Sequence, residues 1–215
     1  MKFNNFEVKE VKPRIFHFKF KDSWKMAISF FRYQEKFESP NKQVRDGNLT
    51  FIQLLELYSK KYGDGDFTYC EDWGGFNVPS HIFENVLENQ YKDFHEYDHE
   101  MIKAYKYCKS LVDGKFYIIG SESKEYFLHE LAHGLFYTNE EYKKEMLNLI
   151  KSIDSDKRKK FFKVLKDEQY HKNVFEDEMQ AYLATGLLDS MKNIVLKKHI
   201  LEFKNIFGRY NEIWR

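Results

Sequence analysis

The chain has 215 residues, enough for one well-packed domain. Its 35 Lys+Arg against 34 Asp+Glu leave a net charge of +1, which gives no field to recruit nucleic acid or an anionic membrane. A hydrophobic fraction of 42% beside 32% charged residues excludes a disordered chain. No run of ~18 apolar residues is present, so no membrane-spanning helix is expected. The start, MKFNNFEVKEVKPR, lacks the apolar core of a secretory signal. Two cysteines, Cys70 and Cys108, cannot make a disulfide framework, and a cytoplasmic protein with reduced thiols is expected.

In chain order, Ile15 to Phe20 alternates as a half-buried strand does. Ser23 is placed to cap a helix with Trp24, Ala27, Ile28 and Phe31 on its apolar face. Ser39-Pro40-Asn41 breaks it and Asp46-Gly47 marks a turn. A second helix is expected from Thr50 to Tyr62, ended by Gly63. Phe67 to Pro79 mixes aromatics, acids and the Gly74-Gly75 pair without a helical period, as a structured loop does. Ser80 opens a further helix to about Tyr91, followed by one with Phe94, Met101, Tyr105 and Cys108 on one face. Asp113-Gly114 turns into a short apolar strand, Lys115 to Gly120. Helices follow from Ser123 to Tyr137, around Met146-Leu149-Ile150-Ile153, from Asn173 to Gly186, and at the C-terminus. The basic run Lys157 to Lys160 and the pair Lys197-Lys198 read as solvated helix faces. The sum is an α+β chain, mostly helical with a small sheet. A helical region over residues 1–110 is expected to pack on a core over 111–215 as one compact unit.

The segment that carries chemistry is His129-Glu130-Leu131-Ala132-His133, an HExxH pattern within Phe127 to Leu135, where every flanking residue is apolar or small. On a helix, residues four apart share a face, so two imidazoles at this spacing reach one metal ion. Glu130 lies about 100° round, on a bordering face, where its carboxylate addresses a water on the metal rather than the metal. Zinc would lower the pKa of that water, and the glutamate would take its proton as general base. Two histidines and an acid buried together would be costly without a partner, and a metal ion is the natural one.

Eight histidines and 34 acids in 215 residues give roughly 0.05 such motifs by chance. The chain nevertheless holds a second, His95-Glu96-Tyr97-Asp98-His99. Its form resembles the HExDH helix of peptide deformylases, but the cysteine motif of the EGCLS type that this family needs upstream is missing. With Lys92, Asp93, Asp98 and Glu100 around it, this turn is expected to be a wet helix face over Phe94, Met101 and Tyr105.

Catalytic zinc takes three protein ligands. Position 139 is Asn, which argues against the third histidine of a metzincin. The His129 segment together with Glu176-Asp177-Glu178-Met179-Gln180-Ala181 resembles the gluzincin branch of the HExxH metallopeptidases, over about Lys115 to Gly186. In that branch a glutamate from a downstream helix, often in an ExxA turn, completes the site, and Glu178 to Ala181 matches that turn. The resemblance implies a zincin-like fold, zinc on His129, His133 and Glu178, and hydrolysis of peptide bonds with Glu130 as base. Glu176 is the alternative ligand, but Asn173-Val174-Phe175-Glu176 reads as a capping box that would occupy it. Asp177 is expected to face water. The resemblance also allows the strand over Phe116 to Gly120 to be an edge that pairs with an extended substrate, although an ordinary core strand fits equally. Tyr170, His171 and Tyr182 are candidates for oxyanion stabilisation, none of them singled out. The N-terminal half would shape the cleft, lend the loop Trp73 to Phe76 to a peptide or protein substrate, or keep the enzyme latent. The alternative function is a non-catalytic zinc-binding module that holds a protein partner, against which an intact Glu130 argues. No nucleic-acid or membrane partner is expected.

Overall fold

The structure is a computed structural model that describes residues 1–89, 91 and 93–211; Lys92, one of the charges flanking the second HExxH, lies outside the described residues. The elements, in chain order, are β1 (Phe6–Lys12), β2 (Ile15–Phe20), α1 (Ser23–Glu38), α2 (Lys42–Asp46), α3 (Phe51–Tyr62), α4 (Tyr69–Asp72), β3 (Gly75–Pro79), α5 (Ser80–Glu88), α6 (Glu96–Leu111), β4 (Tyr117–Ser121), α7 (Lys124–Thr138), α8 (Glu140–Ser152), α9 (Ser155–Asp167), α10 (Phe175–Thr185) and α11 (Lys197–Asn211). The protein is mostly helical with one small sheet, an α+β arrangement. Among the described residues no helix is long and apolar enough to cross a membrane.

The sheet runs β1-β2-β4-β3, with β2 and β4 parallel and the outer pairs antiparallel. Strands from the first 80 residues therefore flank β4 on both sides. Because successive side chains in a strand point to opposite faces, β4 serves two cores. Phe116 and Ile118 join Phe16, Phe18, Phe30 and Phe76 on one side, where α1, α5 and α6 pack. Tyr117 and Ile119 join Ile15, Leu131 and Leu135 on the other, where α7 crosses the sheet and α8 and α10 pack behind it. Gly134 lets α7 approach closely: a Cβ there would stand 2.9 Å from the Ile15 side chain. Each fully buried Phe or Ile adds about 1.5–3 kcal/mol to this assembly.

Several local expectations are corrected. Of the two readings open for the Phe116 to Gly120 strand, the core strand holds: β4 is interior, and β1 and β3 are the edges. The stretch Phe67 to Pro79 is not a loop throughout, since it contains α4 and β3. β1 and α2 were not expected at all. Asp22, not Ser23, caps α1 by accepting from Lys25 N, and Trp24 is 51% exposed while Met26 and Phe30 are buried in its stead. The capping box at Asn173 does not form: a 3-10 turn over Lys172–Val174 leads into α10, whose first residue is Phe175. Thr50, by contrast, makes a full capping box with Gln53 on α3.

Candidate metal centre

Ser123 opens α7 by accepting a hydrogen bond from Tyr126 N at 3.3 Å, and the helix then carries His129, Glu130 and His133 across the sheet. His133 is buried, while His129, expected to be buried too, keeps 17% of its side chain exposed at the floor of a cleft. Helix α10 lies against α7 and presents Glu178, which is buried. One donor atom each of His129, His133 and Glu178 lie within 4.8 Å of one another, the one such group of three or more among the described residues. Glu176 is exposed, away from this group.

The hydrogen-bond directions determine which atoms are left for a ligand. Thr185 Oγ1 donates to Ala181 O at 2.7 Å, so toward His129 Nδ1, 3.2 Å away, it can only accept. His133 Nδ1 faces Asp177 Oδ1 at 2.9 Å and donates to it. In their neutral forms both imidazoles thus carry their proton on Nδ1 and present a bare Nε2, and the two Nε2 atoms stand 3.2 Å apart. Glu178 Oε1 is 3.6 Å from His133 Nε2 and Oε2 is 3.8 Å from His129 Nε2. Glu178 Oε2 is buried and has no hydrogen-bond partner. Two facing lone pairs and an orphaned carboxylate oxygen are a repulsive set unless a cation lies among them. Nitrogens at ~2.0–2.1 Å from one tetrahedral zinc would stand about 3.3 Å apart, close to the separation found. The residues therefore fit a metal ion with two nitrogens and one carboxylate.

A proton competes for the same place. Burial depresses the His133 imidazolium, but Asp177 and then Glu178 outweigh it and hold the group well above its ordinary range. Asp177, expected to face water, instead joins the candidate centre: its Oδ1 also accepts from Gln180 Nε2 at 3.0 Å, and Gln180 Oε1 accepts from Tyr142 OH at 2.8 Å. Such a carboxylate behind a ligating histidine fixes the ring and its tautomer.

Glu130 is buried beside this group. Its Oε2 accepts from Asn77 Nδ2 at 2.8 Å, and Asn77 Oδ1 accepts from Tyr117 OH at 2.5 Å. Its Oε1 lies against Gly75, where a Cβ would come within 2.2 Å. Gly74 is pressed in the same way by the Tyr126 ring. The glycine pair exists because β3 runs directly over α7 here. Burial, the largest influence, raises the Glu130 carboxyl above its ordinary range, with the two histidines opposing.

A cleft of about 480 Å³ opens onto His129 and Glu130, walled by Trp73, Tyr126, Tyr170 and Tyr182. Tyr182 packs its ring 4.7 Å from that of His129, and its hydroxyl pairs with Tyr170 OH at 2.9 Å. His171, grouped with these tyrosines from sequence, instead caps the 3-10 turn.

The second HExxH has a different job. His95 is the N-cap of α6, its Nδ1 accepting from Asp98 N at 3.3 Å, and His99 is exposed. The turn is not the wet face expected. Asp98 is 1% exposed and pairs with the buried Arg32 at 3.4 Å, and Glu100, also buried, accepts from Asn5 N at 3.1 Å. Arg32 also pairs with Asp93 and stacks over the Tyr91 ring. Comparison of the chain with known protein families, curated proteins and solved structures returns no match.

Proposed function

We propose that this protein is a zinc-dependent peptidase with a zincin-like core, in which His129, His133 and Glu178 hold the ion and Glu130 is the general base. The observation that carries the reading is the pair of bare Nε2 atoms 3.2 Å apart beside an orphaned Glu178 oxygen, with a second, separately oriented carboxylate next to them. A pure binding site has no use for that second acid. When bound, zinc supplies a Lewis acid that polarises a carbonyl and makes water a stronger acid.

The chain supplies the rest. Glu130 takes the proton from water and later delivers it to the departing amine, for which a carboxyl raised by burial is suited in both directions. Asn77 holds Oε2, so Oε1, over Gly75, is the oxygen free to move the proton. Asp177 fixes His133 and Thr185 fixes His129, so neither ring must reorganise during turnover. The cleft between Trp73 and Tyr182 admits an extended peptide to His129 and Glu130. The free thiols Cys70 and Cys108 support a cytoplasmic setting.

The test is a peptide library digested by wild type and by Glu130→Gln side by side. The variant should keep its metal and its fold and lose hydrolysis by about 10²–10⁴-fold. Equal cleavage by both proteins refutes the role of Glu130. Full metal content with no cleavage by either would favour a non-catalytic, partner-binding module.

A further inference from the structure

A second cavity, of about 320 Å³, adjoins the metal cleft and shares Asp72, Trp73, Glu168 and Tyr170 with it. Carboxylates enter it from three parts of the fold: Glu35 and Glu38 from α1, Asp72 from the end of α4, and Asp167 and Glu168 from the end of α9. Among the described residues no lysine, arginine or histidine lines it. The nearby cations are engaged at its rim. Lys163 pairs with Asp167, and Lys61 bonds Tyr62 OH while its charge reaches Glu35.

The walls between these acids are aromatic, with Tyr58, Tyr69, Trp73 and Tyr170. Tyr69 is completely buried, and its hydroxyl has no hydrogen-bond partner. A buried, unanswered hydroxyl is costly, and this one belongs to a residue of the cavity wall and lies within reach of the Glu35 and Glu38 charges. The carboxylates do not gather tightly enough for a metal ion: the only cluster with that geometry among the described residues is His129, His133 and Glu178. Acids spread around an aromatic box select a larger, organic cation, which gains from ring faces as well as from charge.

Resting on the peptidase reading, we infer that this cavity is a specificity subsite for an organic cation of the substrate, an ammonium or guanidinium held by Glu35 and Glu38 with the Tyr69 hydroxyl and the aromatic walls. Such a cation is either a basic side chain next to the scissile bond or the peptide's own amino terminus. Burial pushes the Glu35 carboxyl up to about 7, as a carboxylate lacking a sufficient counter-charge behaves.

Three small probes separate the cases in calorimetric titrations of the metal-loaded full chain. Nα-acetyl-lysine methylamide offers only a side-chain cation, norleucine amide only an α-ammonium, and Nα-acetyl-norleucine methylamide no charge. One of the two cationic probes should bind about tenfold or more tighter than the neutral one, and which one does identifies the source. Glu35→Gln should abolish most of that preference with metal content unchanged, and Glu38→Gln, whose carboxyl also feels the charges of Glu178 and His133, should abolish it as well. Should these variants not fold, Asp72→Asn on the exposed wall and Tyr69→Phe should each reduce it severalfold. Equal binding of the neutral probe, binding of none of the three, or a preference that survives the variants overturns the inference. The readout is binding, so the two proposals fail separately. Cation preference without any cleavage leaves this subsite standing and removes the peptidase. Glu130-dependent cleavage indifferent to basic residues and to the free amino terminus does the reverse.

Discussion

Asp177 offers the sharpest test of the proposed metal centre, because it touches a proposed ligand but is not one of the three. Asp177→Ala would leave His133 Nδ1–H without its acceptor at 2.9 Å, inside a site where His133 is 1% exposed. An unanswered buried donor costs about 1–3 kcal/mol. At 1.4 kcal/mol per tenfold, that is a loss of about 5- to 150-fold in metal affinity if the ring must be held in this orientation to bind. The range matches the 10–100-fold generally lost with such outer partners. Asp177→Asn separates orientation from charge. An asparagine oxygen can still accept from both His133 Nδ1 and Gln180 Nε2, with its amide group turned outward, so the ring stays fixed and only the charge is removed. Its loss should therefore fall at the low end, about tenfold.

The assay is competition for zinc against a chromophoric chelator, with thermal denaturation of the metal-free proteins run in parallel. Glu176→Ala is the control, since Glu176 is exposed and caps nothing; its effect on both measurements should stay within about 0.5 kcal/mol. Metal binding by Asp177→Ala equal to wild type would refute the argument that the tautomer of His133 is set from α10. A loss in Glu176→Ala as large as in Asp177→Ala would show that the effect is general damage to that helix.

Elemental analysis should find about one metal per chain, lost in the His129→Ala, His133→Ala double variant and retained in His95→Ala and His99→Ala. The first of these latter two should cost only the ~1 kcal/mol of a helix cap. Glu35 gives a pH signature: its carboxyl is raised from 4.5 to about 7 in the folded protein, so the folded state binds the proton more tightly than the unfolded one. Wild-type stability should then fall as pH rises from about 4.5 to about 7, by at most about 3 kcal/mol from this group, relative to Glu35→Gln in denaturant titrations; parallel profiles for the two proteins would show that Glu35 is not held in a poorly solvated place.

The helices carrying the candidate ligands were legible because period and chemistry coincide there. HExxH in an apolar frame places α7, and the acid-rich start of α10 with Ala181 places Glu178 toward it. What escaped was written in residues with two jobs. β3 does not look like a strand because Gly75 must be small under Glu130 and Asn77 must be polar to hold it, which removes the alternation a strand is recognised by. Asp177 hid among three consecutive acids at a helix start, where negative charge is common for reasons of the helix dipole alone. The sequence left β4 open between an edge and a core strand, and Phe116-Tyr117-Ile118-Ile119, apolar on both faces as a strand covered from both sides is, favours the interior place it takes. The failed capping box has another cause. His171 takes the capping role two residues earlier, and the 3-10 turn delays the helix past Asn173.

The two HExxH segments share a pattern and differ in what their polar atoms do. At His95, the pattern is used up: His95 and Asp98 cap one another, and Asp98 and Asp93 neutralise an arginine sunk in aromatics. The histidine spacing there is not expressed as a pair, since His95 stands outside the helix as its cap and His99 is exposed on it. At His129, hydrogen bonding consumes only the outward atoms. Thr185 and Asp177 take the two Nδ1 protons and Asn77 takes one oxygen of Glu130, while the inward two Nε2 face only one another and Glu178 Oε2 has no hydrogen-bond partner. Two protons on four-apart imidazoles would be satisfied by any acceptor, whereas lone pairs converging in a buried place require positive charge. That asymmetry, not the spacing of the motif, separates the candidate metal centre from a helix start with the same letters. Only a cation supplied from outside the chain, a proton or a metal ion, can resolve it. The carboxylates of Asp177 and Glu178, which hold the His133 proton, would equally favour the proposed metal ion.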